Sequence, residues 1–402
     1  MRFRIAAATL LALLFSASAM ARIGTLDEVP AATLLFPNFE VSDQDNGVNT
    51  ILSIQNASAT AMLLNVTVWT DLGLPTAHFN IYLTGYDQET VDMRDVFRRY
   101  SPVTASAGQD PQDLLSPHGP ISQDINFASC SGTLPNGQAS SISRGIYAAH
   151  TGGASIDYFG GLCGSRVHTD GIARGYVTVD TVNACNTLTP ASTNFFTYYV
   201  TNQNTMLGEY LILDPSRRAF ANKAVHIEAS ATDPLTSAGA NKQTFYARFV
   251  GYNAQDNREP LPTAWAARYA SARTQVDVWR DPGVPIAPFT CGSLPAALPT
   301  GQRHVSVFND AGGVVSNPGG NLFPFVSGRT DGAGALGLTQ PLGWLFANLN
   351  LGAPVGPLGA VRQSWMSFRQ IPRAMTSTGP AAYMVPGIQL GNAATGGDPI
   401  LP

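Results

Sequence analysis

The sequence contains few charged residues and almost no lysine. Only 12% of its 402 residues are charged, and Lys223 and Lys242 are its two lysines. The chain carries 23 basic and 27 acidic residues, with no block of basic residues anywhere. An acidic chain without a basic patch lacks the attraction for phosphates that nucleic-acid binding requires. We therefore expect no nucleic-acid partner.

Long apolar runs are also missing, and the longest begins near the N-terminus. Residues 5–15, "IAAATLLALLF", follow Arg2 and Arg4 and precede the small-residue sequence Ala19-Met20-Ala21. A run this short falls below the roughly 20 residues that a membrane-spanning helix needs. The pattern is typical of a secretory signal peptide over residues 1–21. We expect an exported chain, periplasmic, cell-surface or extracellular, with no transmembrane segment after cleavage.

Common catalytic motifs are absent from the sequence. It contains no G-x-S-x-G nucleophile elbow, no H-E-x-x-H zinc motif and no glycine-rich phosphate loop after a strand. We therefore predict no catalytic residue, and the sequence favours a protein that is not an enzyme.

The four cysteines lack the C-x2-C spacing that zinc sites use. An even number in an exported chain predicts two disulfides among Cys130, Cys163, Cys185 and Cys291. Three connectivities are possible. We prefer the pairing of sequence neighbours, Cys130 with Cys163 and Cys185 with Cys291, because it closes loops that do not cross.

What the sequence does contain is alternation of apolar and polar residues with a period of two. "AMLLNVTVWT", "HFNIYLT", "GYVTVDTV", "KAVHIEA", "TFYARFVGY", "HVSVFND" and "GWLFANLNL" show it, and turn-forming residues separate these runs. The pattern predicts an all-β protein of antiparallel β-sandwich units, immunoglobulin-like or jelly-roll-like. Short helical patterns occur in "ETVDMRDVFRRY" and "LPTAWAARYASAR".

Domain boundaries are indicated only by stretches rich in Ser, Pro and Gly. After the signal peptide we predict an N-terminal β-unit over residues 22–103 and a disulfide-bearing, β-rich middle region over 104–291. Residues 292–402 form a C-terminal β-segment that either folds alone or completes a sheet begun earlier.

One stretch, "SDQDNGVNT", resembles a calcium loop because Asp43 and Asp45 lie two residues apart. An EF-type loop needs Gly at position 6 and Glu at position 12, and counting from Asp43 finds Val48 and Ile54 there. Asn46-Gly47 is instead typical of a tight hairpin turn. We predict a turn, with calcium as the alternative.

His226 and Glu228 form the other candidate metal site. They lie two residues apart on a predicted strand, so both side chains leave the same face of the sheet. A transition metal would need a further ligand from elsewhere in the chain. A half-exposed strand shows the same pattern, so we expect no cofactor and keep a metal as the alternative.

The tryptophans suggest a binding surface. Trp69 follows the polar positions of its strand, and Trp279 lies beside a turn. Exposed flat rings on a β-sandwich can stack against sugars. We therefore name Trp69 and Trp279 as candidate binding residues, while burial under a second sheet remains the alternative.

Four long stretches support a resemblance to other proteins. The run from "LLFPNFEVSDQDNG" to "DQETVDMRDVF", with "GIARGYVTVDTVNAC", "DNREPLPTAWAARY" and "VWRDPGVPIAPFTCG", resembles a group of uncharacterised secreted β-rich proteins of Gram-negative type bacteria. "NTILSIQNASATAMLLNVTVW" is also similar to strand pairs of immunoglobulin-like surface modules. The resemblance implies an envelope or extracellular location and assigns no catalytic residues.

Taken together, the sequence predicts an exported, non-enzymatic component of the cell envelope or the extracellular space. Its role would be binding or structural, with carbohydrate or another envelope protein as the partner. The alternatives are a secreted hydrolase of polysaccharide and a metal-binding envelope protein.

Overall fold

A computed structural model describes residues 29–99, 145–215, 218–232, 244–251, 256–269, 274–295, 302, 304–350, 363–370, 383–386 and 388–391. The predicted signal peptide and Cys130 lie outside these ranges. The described chain is all-β and forms four antiparallel sheets with a few short helices.

The first two sheets come mainly from the N-terminal half. Sheet I has the strand order β4-β3-β6-β1-β9, and sheet II has the order β5-β2-β7-β8. Their strands are β1 (Thr33–Val41), β2 (Asn49–Asn56), β3 (Met62–Thr70), β4 (Pro75–Leu83), β5 (Gln88–Asp92), β6 (Ala173–Val182), β7 (Met206–Asp214), β8 (Arg218–Lys223) and β9 (Val225–Ile227).

The other two sheets come from the C-terminal half. Sheet III has the strand order β13-β12-β15-β10-β18, and sheet IV has the order β14-β11-β16-β17. Their strands are β10 (Ala264–Tyr269), β11 (Gln275–Arg280), β12 (His304–Asn309), β13 (Val314–Ser316), β14 (Ser327–Asp331), β15 (Gly343–Asn348), β16 (Ser364–Gln370), β17 (Tyr383–Pro386) and β18 (Ile388–Gly391).

The helices of the described residues are all short, with four to seven residues each. They are α1 (Met93–Arg99), α2 (Ile146–Thr151), α3 (Ile156–Phe159), α4 (Thr193–Tyr198), α5 (Ala247–Val250) and α6 (Gly332–Ala335).

Sheet I is the middle layer of the molecule. On one face of β3, Leu64 and Val66 pack in a core shared with sheet II. On the other face, Leu63 and Trp69 belong to a second core shared with sheets III and IV. All nine residues of β3 are consequently buried. The predicted alternation is confirmed. The face of β3 that carries the polar positions, which we expected to be exposed to solvent, is covered by the C-terminal sheets.

The predicted turn at Asn46-Gly47 is present, but it does not close a β-hairpin. β1 pairs with β6 and β9, whereas β2 pairs with β5 and β7, so the turn carries the chain from sheet I to sheet II. The Gly47 amide donates to the Gln44 carbonyl oxygen. Gly47 lies outside the left-handed region and is required because a Cβ there would collide with the Ser42 side chain.

Two segments adopt a different secondary structure from the one that their patterns predict. "LPTAWAARYASAR", read as a helix, contributes β10, in which Trp265, Ala267 and Tyr269 point into the second core. "TFYARFVGY", read as a strand, forms α5 instead. In both cases tertiary packing overrides a weak local preference. The helix predicted in "ETVDMRDVFRRY" is confirmed from Met93 onward, after the short strand β5.

The hydrogen-bonded sheets cross both predicted domain boundaries. β1 and β3 pair with β6, so sheet I joins strands from either side of residue 103. β10 precedes residue 291 and pairs with β15, which follows it. The C-terminal segment therefore completes a sheet begun earlier.

The disulfide pairing that we preferred is wrong. Cys163 is bonded to Cys291, a separation of 128 residues. The backbone explains the pairing, because Cys163 forms an isolated β-bridge with Phe289 and brings the two segments together. Cys185 is also disulfide-bonded, and Cys130 lies outside the described residues.

Candidate functional site

The two tryptophans predicted to bind ligand are both buried. Trp69 has no exposed surface and Trp279 is 1% exposed. The Trp69 ring stacks on Tyr176, with centroids 5.7 Å apart and planes 2° apart, and Tyr176 meets the Trp279 ring edge-on at 5.9 Å. The structure brings these residues together as an internal aromatic cluster, so the expected exposed platform is not formed by them.

Burial of Trp69 follows from the position of sheet I between two other layers. Its indole N–H donates to the Thr178 hydroxyl oxygen at 2.9 Å on the neighbouring strand β6. The Arg248 guanidinium lies 5.5 Å from the Trp69 ring and 4.4 Å from the Phe249 ring. The polar positions of β3 thus face a polar interior rather than solvent.

The structure places the predicted metal ligand His226 on β9 and Glu228 directly after that strand. No group of three His, Cys, Asp or Glu side chains able to hold a metal occurs among the residues that the structure describes. The His226 Nε2 accepts a hydrogen bond from the Gly208 amide at 3.1 Å, which requires a lone pair on that nitrogen.

The loop that resembles a calcium site is occupied by an arginine. The Arg94 guanidinium donates to four backbone carbonyl oxygens between Ser42 and Val48, at distances of 2.7–3.2 Å. The oxygens that could have converged on a cation converge on this side chain instead. Arg98 donates to an Asp45 carboxylate oxygen at 2.6 Å and to the Asp43 carbonyl oxygen, and it lowers the pKa of Asp45.

One of the five tryptophans, all of which lie in the described part of the chain, is only half-buried. It is Trp344 on β15, a strand that points Leu345 and Ala347 into the second core and Trp344 and Phe346 from its other face, where Phe346 is covered and Trp344 is not. Trp344 lies opposite Phe308 of β12. The two rings stack with centroids 3.8 Å apart and planes 6° apart.

The strand register extends this pair into a row across sheet III. Arg268 of β10 lies opposite Trp344 on its other side, and Val314 of β13 lies opposite Phe308. Val314 is 60% exposed, Arg268 is exposed, and Leu342, two residues before Trp344, is 52% exposed. We call Val314, Phe308, Trp344 and Arg268 the aromatic row.

Polar groups flank the aromatic row on the same face of sheet III. The Ser306 hydroxyl donates to the Asn317 side-chain oxygen at 2.7 Å and contacts the His304 Nε2. His304 and Asn317 are exposed, so both extend the face into solvent. The surface therefore combines aromatic rings with hydrogen-bonding groups.

A second feature, which no sequence pattern indicated, is a buried ion-pair network between sheets I and IV. Glu40 of β1 lies 2.9 Å from an Arg329 nitrogen and 3.5 Å from Arg369. Arg369 also donates to Asp277 at 2.6 Å. Burial raises the pKa of Glu40, but Arg369, Arg329 and Arg174 outweigh it and hold that pKa below the usual value. At Asp277 burial dominates and raises the pKa.

The ion-pair network encloses little space. A cavity of about 10 Å³ lies among Glu40, Arg174, Ser327 and Arg329, which is room for about one water molecule. Both carboxylates are committed to guanidinium groups. The arrangement ties the two halves of the molecule together and has no space for a substrate.

The comparisons with known proteins add no relative. The sequence matches no family model, and it has no match among curated proteins or solved structures. Within the described residues, no helix combines the length and apolarity needed to cross a membrane.

Proposed function

We propose that the chain is an exported, non-enzymatic binding protein of the cell envelope or extracellular space, and that it binds carbohydrate through the aromatic row of sheet III. The observation that carries this proposal is the outward stack of Trp344 on Phe308. Trp344 is the tryptophan that keeps solvent contact while the other four are buried.

The chemistry of the face supports a sugar as the ligand. Sugars present C–H surfaces that pack against aromatic rings and hydroxyls that need donors and acceptors. The aromatic row supplies the rings, while Arg268, His304 and Asn317 supply exposed hydrogen-bonding groups beside them. A strongly charged ligand has less support, since Arg268 is the one formal charge in the row.

The buried carboxylates support binding over the alternative of polysaccharide hydrolysis. A glycosidase needs two carboxyl groups facing a cleft that admits the sugar. Glu40 and Asp277, the carboxylates of the ion-pair network, are paired directly with arginines, and the cavity beside Glu40 has a volume of only about 10 Å³. We assign them a structural role.

The test is retention of the purified exported protein on insoluble polysaccharides: cellulose, chitin and peptidoglycan sacculi. We expect one of them to retain the wild type and W344A to bind at least ~10-fold more weakly, because truncation of a central aromatic contact typically costs ~2 kcal/mol. Y198A is the matched control, since Tyr198 is an exposed aromatic on α4, outside sheet III.

Thermal unfolding of W344A establishes that the variant is folded. Equal retention of folded W344A and wild type would overturn the proposal. The proposal would also be overturned if none of the three polysaccharides retained the wild type or W344A while a native envelope protein cross-linked to the wild type, because the partner would then be a protein.

A further inference from the structure

The stack of Trp344 on Phe308 uses one face of each ring. The two residues lie directly opposite each other on β15 and β12, and their rings are parallel within 6° with centroids 3.8 Å apart. The line that joins the two centroids therefore runs from strand to strand, so both rings stand upright on the sheet. A flat ligand cannot cover both rings at once, because each ring has a single outer face and the two outer faces point in opposite directions.

The outer face of Trp344 is turned toward β10. Arg268 is the residue of β10 that lies directly opposite Trp344. Two residues earlier on the same face, β10 carries the small side chain of Ala266. In the described part of the chain, β10 pairs with β18 only from Ala264 to Ala266, so Arg268 lies beyond the end of that pairing. The ring face is thus bordered by one long, flexible side chain.

The Arg268 guanidinium has no partner among the residues that the structure describes. The side chain is exposed, and it makes no ion pair, hydrogen bond or ring contact there. The backbone of the same residue is held in place, because its carbonyl oxygen accepts from the Gln370 side chain at 3.2 Å. Arg268 therefore has a fixed position on the strand and a guanidinium that is available to a ligand.

The described part of this face of sheet III offers no acidic side chain beside Arg268. The neighbouring positions on the same face are Ser306, Phe346 and Ala266. The exposed Asp310 follows the end of β12, two strands away from β10, which is a separation of roughly 10 Å. A single positive charge beside a ring face favours a ligand that carries a negative group next to an apolar surface.

We infer that the aromatic row selects a sugar that carries a carboxylate, namely a uronic acid residue in an otherwise neutral glycan. The inference rests on the proposed function and names the class of sugar. The C–H face of the sugar packs on the outer face of Trp344, and its carboxylate accepts two hydrogen bonds from Arg268.

The chemistry of arginine supports a carboxylate over a neutral hydroxyl. A planar guanidinium matches the two oxygens of a carboxylate, and such charge-assisted hydrogen bonds are about twice as strong as neutral ones. One guanidinium balances one carboxylate. Isolated uronic acids in a neutral chain therefore suit the aromatic row better than a polyanion does.

The test compares glycans that differ only in charge. Glucuronoxylan and hyaluronan are each coupled to a resin before and after chemical reduction of their carboxyl groups to alcohols, and frontal affinity chromatography gives the Kd. We expect the wild type to bind the acidic form of at least one glycan about 5-fold more tightly than its reduced form, since an exposed ion pair contributes modestly. This preference should shrink between ~0.01 M and ~1 M salt, because salt screens exposed charges.

Substitution of Arg268 identifies the group that reads the carboxylate. R268Q should bind the acidic form only as tightly as the wild type binds the reduced form. K223Q is the matched control, because it removes one positive charge from an exposed position on sheet II. It should keep the wild-type preference. Thermal unfolding establishes that both variants are folded.

Three results would overturn the inference. They are equal binding of the acidic and reduced forms by the wild type, an undiminished preference in folded R268Q, and tighter binding of dextran sulfate than of either uronic-acid glycan. Absence of binding to every form of both glycans would also overturn it. Failure of the proposed function is distinguishable, because W344A would then bind the reduced glycan as the wild type does.

Discussion

Arg369 Nε lies 2.6 Å from Asp277 Oδ2, and both side chains are almost fully buried. The two residues belong to the neighbouring strands β16 and β11 of sheet IV, and Arg369 also lies 3.5 Å from Glu40 of sheet I. One guanidinium therefore connects carboxylates from two layers of the molecule. Removing one partner leaves the other charge buried and unpaired. This destabilises the protein far more than the intact pair stabilises it.

We predict that R369M lowers the free energy of unfolding by about 3–5 kcal/mol because Asp277 loses its paired charge. The double variant R369M/D277N should lose less than the sum of the two single variants, since it removes both charges together. Urea denaturation of the four proteins gives the coupling energy. Strictly additive losses would show that the two side chains do not interact.

Acid should destabilise the protein through its buried histidines. The His150 ring lies between Phe39 and Phe97, and burial lowers its pKa to about 4, an effect opposed by its hydrogen bond to the Arg174 carbonyl oxygen. Burial also lowers the pKa of His78. Between the folded pKa and the unfolded value of about 6.5, the unfolded chain binds more protons, so stability decreases as pH falls.

Protonation linked to His150 should lower the free energy of unfolding by ~3 kcal/mol between pH 6.5 and pH 4. The unfolding free energy measured at intervals across this range checks it. In H150Q the unfolding free energy should depend less steeply on pH, and His78 should account for the dependence that remains. A slope that H150Q leaves unchanged would contradict the assignment.

Arg94 should be irreplaceable by lysine. Its planar guanidinium satisfies four carbonyl oxygens of the turn at once, whereas an ammonium group cannot reach that arrangement. We predict that R94K lowers the unfolding free energy by about 1–3 kcal/mol. R268K, on the exposed face of sheet III, is the matched control and should change stability by less than ~0.5 kcal/mol. Equal stability of R94K and wild type would mean that the turn does not depend on this arginine.

The disulfide is expected to stabilise the fold strongly. Linking Cys163 to Cys291 closes a loop of more than a hundred residues, and its removal should cost about 3–5 kcal/mol. Denaturant unfolding of C163A/C291A measures the loss. Peptide mapping without reduction tests the pairing itself, and a peptide that links Cys163 to Cys130 or Cys185 would contradict the structure.

Local patterns predicted the strands well, because successive side chains of a β-strand point to opposite faces regardless of what packs on those faces. Val66 and Thr67 were placed on opposite faces correctly, yet both are buried. Whether a polar face meets water or a polar interior depends on what other sheets cover it. Trp69 was misplaced for this reason, and the same alternation on sheet III leaves Trp344 half-exposed.

Contacts between distant segments were the part that the sequence could not predict. Asn46-Gly47 signalled a turn correctly, but β1 pairs with β6 and β2 pairs with β7, and each of these partners lies more than a hundred residues away. The charges that meet Glu40 come from Arg174, Arg329 and Arg369, each on another strand. Single-sequence periodicity carries no information on such pairings. The contact of Arg94 and Arg98 with the turn is long-range in the same way, because α1 begins four strands after that turn.

The most direct test of binding through sheet III is collisional quenching of tryptophan fluorescence by acrylamide. With four buried tryptophans, quenching in the native protein should come mainly from Trp344 and should largely disappear in W344F. Adding a soluble oligosaccharide of the retained polysaccharide should protect the wild type from the quencher. If the oligosaccharide binds and quenching of Trp344 is unchanged, the ligand lies elsewhere and the proposed site is wrong.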